Sequence, residues 1–184
     1  EVLGEMVSEP HSLRPDAITY TTLIKALGKA QRVDEAEALF AEMQQRSNHF
    51  ADPCVPTEVT FTELMHCNLR AQRPARALAL FNQLRTRNQL QTSATSRRQR
   101  PISAAAFRKA LQACEMLGDW KRAMNVYSLM TSSQGQDQPP MSSSSGGGGV
   151  RLDNPSLLAL VRVLERGGQF DTAAQVRRAR SHMQ

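Results

Sequence analysis

Apolar residues recur along this chain at steps of three and four, the spacing that places side chains on one face of an α-helix. In residues 17–46 the pattern runs twice, with a short polar turn between the two runs. Its apolar positions are Tyr20, Leu23, Ile24 and Leu27, followed by Val33, Ala36, Leu39, Phe40 and Met43. Asp34 and Glu35 add negative charge at the start of the second run, where the helix dipole favours it. The pattern predicts a helix-turn-helix unit that needs neighbours of its own kind to cover its apolar surface.

The same unit occurs three more times with a constant internal spacing. An opening aromatic residue, leucine in the fourth copy, lies 16 positions before an alanine in the second helix. These pairs are Tyr20 and Ala36, Phe61 and Ala77, Phe107 and Ala123, and Leu157 and Ala173. The copies begin 41, 46 and 50 residues apart, because the additional residues fall after each second helix, in 47–57, 86–103 and 131–153. We expect these connections to be loops at one edge of a stacked array.

This spacing divides the chain into the tail of a preceding repeat and four repeats. The predicted boundaries are 1–16 for the tail, then 17–57, 58–103, 104–153 and 154–184. The last segment is a fourth repeat or a C-terminal cap, because Arg177 and Arg180 replace apolar residues there. We expect the Ser/Gly-rich insertion within 131–149 to be disordered. Since the sequence opens within a unit, we also expect further repeats upstream.

The first unit resembles the pentatricopeptide repeat through TYTTLIKALGKAQRVDEAEALFAEM at residues 19–43. The second and third units are similar to it through VTFTELM at 59–65 and GDWKRAMNVYSLM at 118–130. The tetratricopeptide repeat fits less well, because its early tryptophan and its constant length are missing. The resemblance implies an all-α fold, a right-handed α-solenoid of stacked helix-turn-helix repeats.

Positive charge dominates the polar surface, with 23 basic residues against 17 acidic ones and a net charge of +6. Such a balance suits a polyanionic partner. Three repeats have a cation at the same place near the end of the first helix, namely Lys29, Arg70 and Arg166. The resemblance implies that these residues contact the phosphates of single-stranded RNA bound at one nucleotide per repeat.

The resemblance also implies which residues contact the bases. In the family the fifth and last residues of a repeat contact the base, and the second residue clamps it. The candidate base contacts are Thr21, Thr57, Thr62, Ser103, Arg108 and Asp153, and the candidate clamping residues are Ile18 and Val59. No complete repeat has a regular residue at all three positions, so we expect loose base recognition, strongest around Thr21 and Thr62.

Catalysis and cofactor binding have no support in the sequence. The three cysteines form no C-x-x-C pair, and the four histidines lie in separate units or connections. Paired carboxylates, a phosphate-binding loop and a nucleophile beside a base are all missing at useful spacings. We therefore predict a protein that is not an enzyme and has no cofactor. A membrane span is not expected either, because no apolar run approaches about 18 residues.

Two functions from different classes remain open at this point. By its resemblance, the protein is expected to bind organellar transcripts in a mitochondrion or chloroplast and to act in their processing, stability or translation. Other proteins of an RNA-processing or ribosomal complex are then additional partners. The alternative is a protein-binding helical scaffold or ribosome-associated subunit, in which Thr21 and Thr62 are ordinary surface residues of a helix.

Overall fold

The computed structural model describes residues 15–47, 54–95, 102–132 and 154–181. Within these ranges the chain is helical apart from short turns, which confirms the all-α fold expected from the repeat pattern. The helices of the described ranges are α1 (Ala17–Lys29), α2 (Val33–Ser47), α3 (Glu58–Arg70), α4 (Pro74–Thr95), α5 (Ala104–Leu117), α6 (Trp120–Ser132), α7 (Asn154–Arg166) and α8 (Phe170–Ser181).

The chain forms two compact units, residues 1–73 and 74–184. In the first unit α1 packs against both α2 and α3, and α2 also contacts α3. In the second unit α5 packs against α4, α6 and α7, while α7 contacts α6 and α8. Each unit therefore builds its interior from helices that are neighbours in the chain, as expected for stacked helical repeats.

The core consists of the residues that define the repeat. All four opening residues and all four alanines of the second helices are buried. Phe40 meets Phe61 edge to face with ring centroids 5.1 Å apart, and Phe81 meets Phe107 in the same way at 5.3 Å. A second helix thus packs against the next first helix through the same aromatic pair in both units.

Every first helix ends in the same tight turn. A residue with left-handed backbone follows each helix at the same place in the repeat: Gln31, Gln72, Gly118 and Gly168, with φ of 64°, 59°, 67° and 72°. The next N–H donates back to the carbonyl five residues earlier, from Arg32 to Leu27 at 3.0 Å and equivalently in the other three turns. This is the Schellman arrangement, which satisfies helix carbonyls that would otherwise have no partner.

The residue just before a first helix acts as its N-cap in three repeats. Asp16 accepts a hydrogen bond from the Thr19 N–H at 2.8 Å. Thr57 caps α3 and Ser103 caps α5 by accepting from the N–H three residues on. Short polar side chains at this position satisfy backbone donors that the first turn of a helix leaves free.

Small residues allow two close helix contacts. A Cβ atom on Gly28 would lie 2.0 Å from the Cys67 sulfur, so the absence of a side chain lets α1 and α3 approach each other. A Cβ atom on Gly167 would lie 2.4 Å from the Trp120 ring, where α6 meets the end of α7. Real Cβ atoms do not tolerate such distances, so both contacts depend on glycine.

One expected loop is helical instead. The connection predicted from residue 86 onward is part of α4, which continues to Thr95. Residues 86–95 contain no glycine or proline and several good helix formers, so nothing in them stops the helix. The basic residues Arg97, Arg98 and Arg100, the tail at 1–14 and the segment 133–153 lie outside the described residues.

The final helix has a reduced apolar face, as its sequence indicates. Ala173 and Val176 are its buried apolar residues in the part whose side chains are described. Arg177 is exposed and forms an ion pair with Glu165 of α7, where the first repeat has the buried Phe40. The assignment of residues 154–184 as a fourth repeat or a C-terminal cap stays a prediction.

Candidate nucleic-acid interface

The two candidate clamping residues project from neighbouring first helices of one unit. Ile18 near the start of α1 is 74% exposed, and Val59 near the start of α3 is 59% exposed. Both are at the second position of their repeat, and α1 and α3 pack side by side. Branched apolar side chains gain nothing from water, so their exposure leaves two surfaces on which a flat base can rest.

The candidate phosphate contacts lie at the opposite ends of the same helices. Lys29 and Arg70 occupy the last turns of α1 and α3 and line a cleft of about 130 Å³. Across this pair of helices Lys25 forms an ion pair with Glu63 at 3.7 Å. Lys29 and Arg70 have no hydrogen-bond or ion-pair partner among the residues that the structure describes, so both cations can accept an anionic ligand.

Arg166, the third candidate phosphate contact, is already engaged. It lies in the last turn of α7 and donates from Nη1 to the Glu115 carbonyl of α5 at 3.3 Å. The Glu115 side chain also pairs with Arg162 at 3.6 Å. Arg166 is exposed, but an incoming phosphate has to compete with a helix carbonyl for it.

A purely local explanation exists for all three cations. The C-terminus of a helix has partial negative charge, and a cation in the last turn stabilises it by typically 0.3 to about 1 kcal/mol. Lys29, Arg70 and Arg166 each occupy such a turn. Their position in the repeat is therefore compatible with helix stabilisation, with phosphate binding, or with both.

The threonines predicted to contact bases are hydrogen-bonded to their own helices. The Thr21 hydroxyl donates to the Ala17 carbonyl at 2.7 Å, and the Thr62 hydroxyl donates to the Glu58 carbonyl at 2.8 Å. The hydroxyl proton of each threonine is therefore donated to a carbonyl of its own helix, as is common for threonine in helices. Their oxygens keep lone pairs, so both half-buried residues can accept a hydrogen bond from a ligand.

The predicted base contacts at the ends of repeats double as helix caps. Thr57 and Thr60 form a capping box, in which each side chain accepts from the other residue's backbone N–H. The Thr60 hydroxyl also lies 2.8 Å from that of Thr21. Sequence reasoning missed Thr60, although its spacing from Thr57 is the signal of a capping box.

The remaining predicted contacts belong to the second unit or lie outside the description. Ser103 is exposed at the start of α5, and Arg108 is exposed on the same helix. Both form interactions within the protein, so a ligand would have to compete with these interactions for either residue. Asp153 lies outside the described residues. The structure thus places Ile18 and Thr21 on α1, Val59 and Thr62 on the neighbouring α3, and Thr57 at the N-cap of α3.

A second cleft lies between α4 and α6, two helices of the second unit that both pack on α5. Its volume is about 430 Å³, and its lining includes both apolar and polar residues. It is lined by Ala75, Leu78, Ala79, Phe81, Asn82, Arg85, Arg122, Asn125, Val126 and Leu129. The Nε atom of Arg85 is buried without a hydrogen-bond partner among the described residues.

Two further features are absent from the described ranges. Within them no group of three or more histidine, cysteine, aspartate or glutamate side chains is placed to hold a metal ion. None of their helices combines the length and the apolar character needed to cross a membrane.

Comparison with known proteins supports the repeat identification. The family model described as the PPR repeat matches residues 11–44, which include α1, the turn after it and most of α2. No curated protein matches the chain. Pentatricopeptide repeats are helical units typical of RNA-binding proteins. Residues 11–44 are therefore identified as a pentatricopeptide repeat.

Proposed function

We propose that this protein binds single-stranded RNA along its first helices, with bases held between apolar side chains and phosphates held by the cations at the helix ends. The observation that carries this proposal is the exposure of Ile18 and Val59 on the two helices that also present Lys29 and Arg70. The apolar side chains at the helix starts suit the base of a nucleotide, and the cations at the helix ends suit its phosphate.

We further propose an organellar role, in the processing, stability or translation of transcripts in a mitochondrion or chloroplast, in company with other proteins of an RNA-processing or ribosomal complex. The match of residues 11–44 to the PPR repeat model supports this part, since such repeats are often found in organellar proteins. Base recognition is expected to be loose, because the hydroxyl protons of Thr21 and Thr62 are used inside their helices.

The test is a titration of fluorescent single-stranded RNA with the protein at several salt concentrations. We expect the Lys29→Ala, Arg70→Ala double variant to lose about tenfold or more in affinity at low salt. Its plot of log affinity against log salt should also be flatter by about 1.4, since each phosphate contact to a single strand contributes about 0.7.

The matched control is the Lys121→Ala, Arg178→Ala double variant, which removes the same charge from α6 and α8. It should keep the wild-type salt slope. If both double variants lose affinity equally, only net charge matters and the proposed groove is wrong. Melting curves of both variants separate binding losses from the loss of cations at helix ends.

The cleft between α4 and α6 favours a second candidate function, a protein-binding scaffold. Its lining combines apolar and polar side chains with the buried Nε atom of Arg85, a mixture that suits the side chains of a protein partner. Ala79→Gln would partly fill this cleft from an exposed position. In a scaffold this change abolishes partner capture while the Lys29 and Arg70 variant captures normally, and an RNA-binding protein shows the reverse dependence in RNA binding.

A further inference from the structure

Three threonine hydroxyls form a continuous hydrogen-bonded chain between the two candidate base contacts of the first repeat. The Thr60 oxygen lies 2.8 Å from that of Thr21 and 3.2 Å from that of Thr57. Thr60 is fully buried, whereas Thr21 is half-buried and Thr57 is exposed. Thr60 therefore joins, from inside the protein, two residues that can both reach a ligand.

The hydrogen bonds fix the direction in which this chain donates. A hydroxyl has one proton and two lone pairs. The Thr21 proton goes to the Ala17 carbonyl at 2.7 Å, so Thr21 must accept the proton of Thr60. One lone pair of Thr60 accepts the Thr57 N–H at 3.1 Å, and the other therefore accepts the Thr57 hydroxyl proton.

The hydroxyl protons of Thr21, Thr57 and Thr60 are therefore all donated to acceptors within the protein. Thr57 also accepts the Thr60 N–H at 3.4 Å. Thr21 and Thr57 are thus left with one free lone pair each and no proton to offer. Neighbouring hydrogen bonds of one direction strengthen each other, which resists a reversal of the chain. The pair can therefore offer two hydrogen-bond acceptors to a bound base.

Only one RNA base offers two neighbouring donors on its Watson–Crick edge. Guanine has N1–H beside its N2 amino group. In adenine and cytosine the amino group is next to a ring nitrogen acceptor, and in uracil N3–H lies between two carbonyl acceptors. We propose that Thr60 is a positioning residue that holds Thr21 and Thr57 as acceptors, so that the first repeat prefers guanine. This inference rests on the proposed RNA binding.

The direct test keeps the protein unchanged and alters the RNA. A strand enriched from a random pool is resynthesised with the base at the selected guanine replaced by inosine, adenine, cytosine or uracil. Inosine keeps N1–H and lacks only the amino group, so it removes one of the two donors. We expect about a fivefold loss for inosine and about a tenfold or larger loss for adenine, the scale of one or two hydrogen bonds.

The protein variants test the role of Thr60 itself. Thr60→Val keeps the shape and removes the hydroxyl, which frees the Thr57 proton to donate. The preference for guanine over adenine should then fall to within about twofold. Thr60→Ser restores the hydroxyl and should restore the preference, a rescue that a merely structural role would not require. Melting temperatures are measured in parallel, because Thr60→Val also weakens the capping box.

The outcomes separate the two proposals. RNA binding without a guanine preference, or equal affinity for the guanine and inosine strands, overturns the role of Thr60 and leaves the proposed function intact. Retention of the preference in Thr60→Val overturns it as well. If the wild-type protein binds no single-stranded RNA at low salt, the proposed function fails and the inference fails with it. If Thr60→Val does not fold, the inosine comparison still decides.

Discussion

Two glutamines occupy backbone positions where the other repeats have glycine. Gln31 and Gln72 have positive φ in the turns of the first unit, and Gly118 and Gly168 fill the same place in the second. A side chain in the left-handed region costs roughly 1 kcal/mol or more, because its Cβ crowds the following carbonyl. The first unit therefore carries strain at two sites that the second unit lacks.

We predict that Gln31→Gly and Gln72→Gly each stabilise the protein by about 0.5 kcal/mol, after allowance for the greater entropy of unfolded glycine. Urea unfolding followed by circular dichroism measures the change. The reverse substitution, Gly168→Ala, should destabilise the second unit by about 1 kcal/mol. Because Trp120 is the single tryptophan, its fluorescence follows that unit. A loss of stability in both glutamine variants would contradict the strain explanation.

The buried thiol of Cys114 should make the second unit sensitive to alkali. Burial, with a smaller effect of Asp119, raises the pKa of Cys114 to about 12. A cysteine thiol in the unfolded chain has a pKa of about 8.5. The buried thiol therefore makes its full contribution to the free energy of unfolding below about pH 8.5. This contribution is lost as the pH rises towards 12.

Cys114→Ala isolates this effect, because alanine has no proton to lose. We expect the difference in unfolding free energy between wild type and variant to shrink as the pH rises above about 9. Tryptophan fluorescence in urea at a series of pH values measures it. A difference that is independent of pH would mean that the thiol ionises freely in the folded protein.

At the scale of helices, the packing of α1 on α3 depends on one missing side chain. Gly28→Ala would place a methyl group against the Cys67 sulfur, which lies fully inside the contact. We predict a loss of about 1 to 3 kcal/mol from this overpacking, despite the better helix propensity of alanine.

The partner variant provides the control. Cys67→Ala removes the atom that the new methyl group would meet, so the cost of Gly28→Ala should fall by at least half in that background. Unfolding free energies of the wild type and the three variants form a double-mutant cycle. Additive effects of the two substitutions would show that the helices do not meet at this contact.

An ion pair ties the start of α2 to the turn that follows α3. Arg73 donates to Asp34 at 2.6 Å and holds the pKa of that carboxylate below its ordinary value. A lowered pKa contributes stability above the unfolded value of about 3.9, and this contribution disappears as the pH falls through the folded value.

Asp34→Asn should therefore destabilise the first unit slightly at neutral pH, since both partners are exposed. The difference from wild type should begin to shrink near about pH 4 and vanish only below the lowered pKa of Asp34 in the folded protein. The control is Asp171→Asn, which removes a carboxylate from the first turn of α8 that has no ion-pair partner among the described residues. If its acid profile matches that of Asp34→Asn, the helix dipole explains the effect and Arg73 is not involved.

The helices could be predicted from the sequence because periodicity and local signals agree in them. Tyr20, Phe61, Phe107 and Leu157 are all buried where the repeat pattern places them. The extension of α4 through residues 86–95 was missed because this segment is polar and lacks the apolar periodicity that predicts a helix. Only the absence of glycine and proline favours a helix there. The role of Thr60 was missed for another reason, since a hydroxyl network between two helices depends on distances that spacing along the chain does not contain.

For the whole molecule, net charge and base clamping predict different preferences among nucleic acids. A positively charged surface alone binds duplex RNA at least as well as a single strand, because the duplex has the higher charge density. Clamping by Ile18 and Val59 requires unpaired bases. The proposed function therefore demands a preference for single strands that exceeds the effect of charge.

We predict that a duplex competes at least tenfold less well than either of its separated strands at moderate salt. Ile18→Ala with Val59→Ala should reduce this preference several-fold, while the salt slope is unchanged because no phosphate contact is lost. Competition titrations measure both quantities. Equal competition by duplex and single strand would show that the protein recognises charge and no base.

The N-caps described above limit how such a protein can change its target. Asp16, Thr57 and Ser103 each start a helix, and in the proposed groove the same position also faces a base. Aspartate, asparagine, serine and threonine start helices well, and a replacement such as leucine costs about 1 kcal/mol in each repeat. Substitutions at this position are therefore limited to these four residue types if the helix is to keep its N-cap. A change of RNA specificity in the proposed groove has to be made within that set.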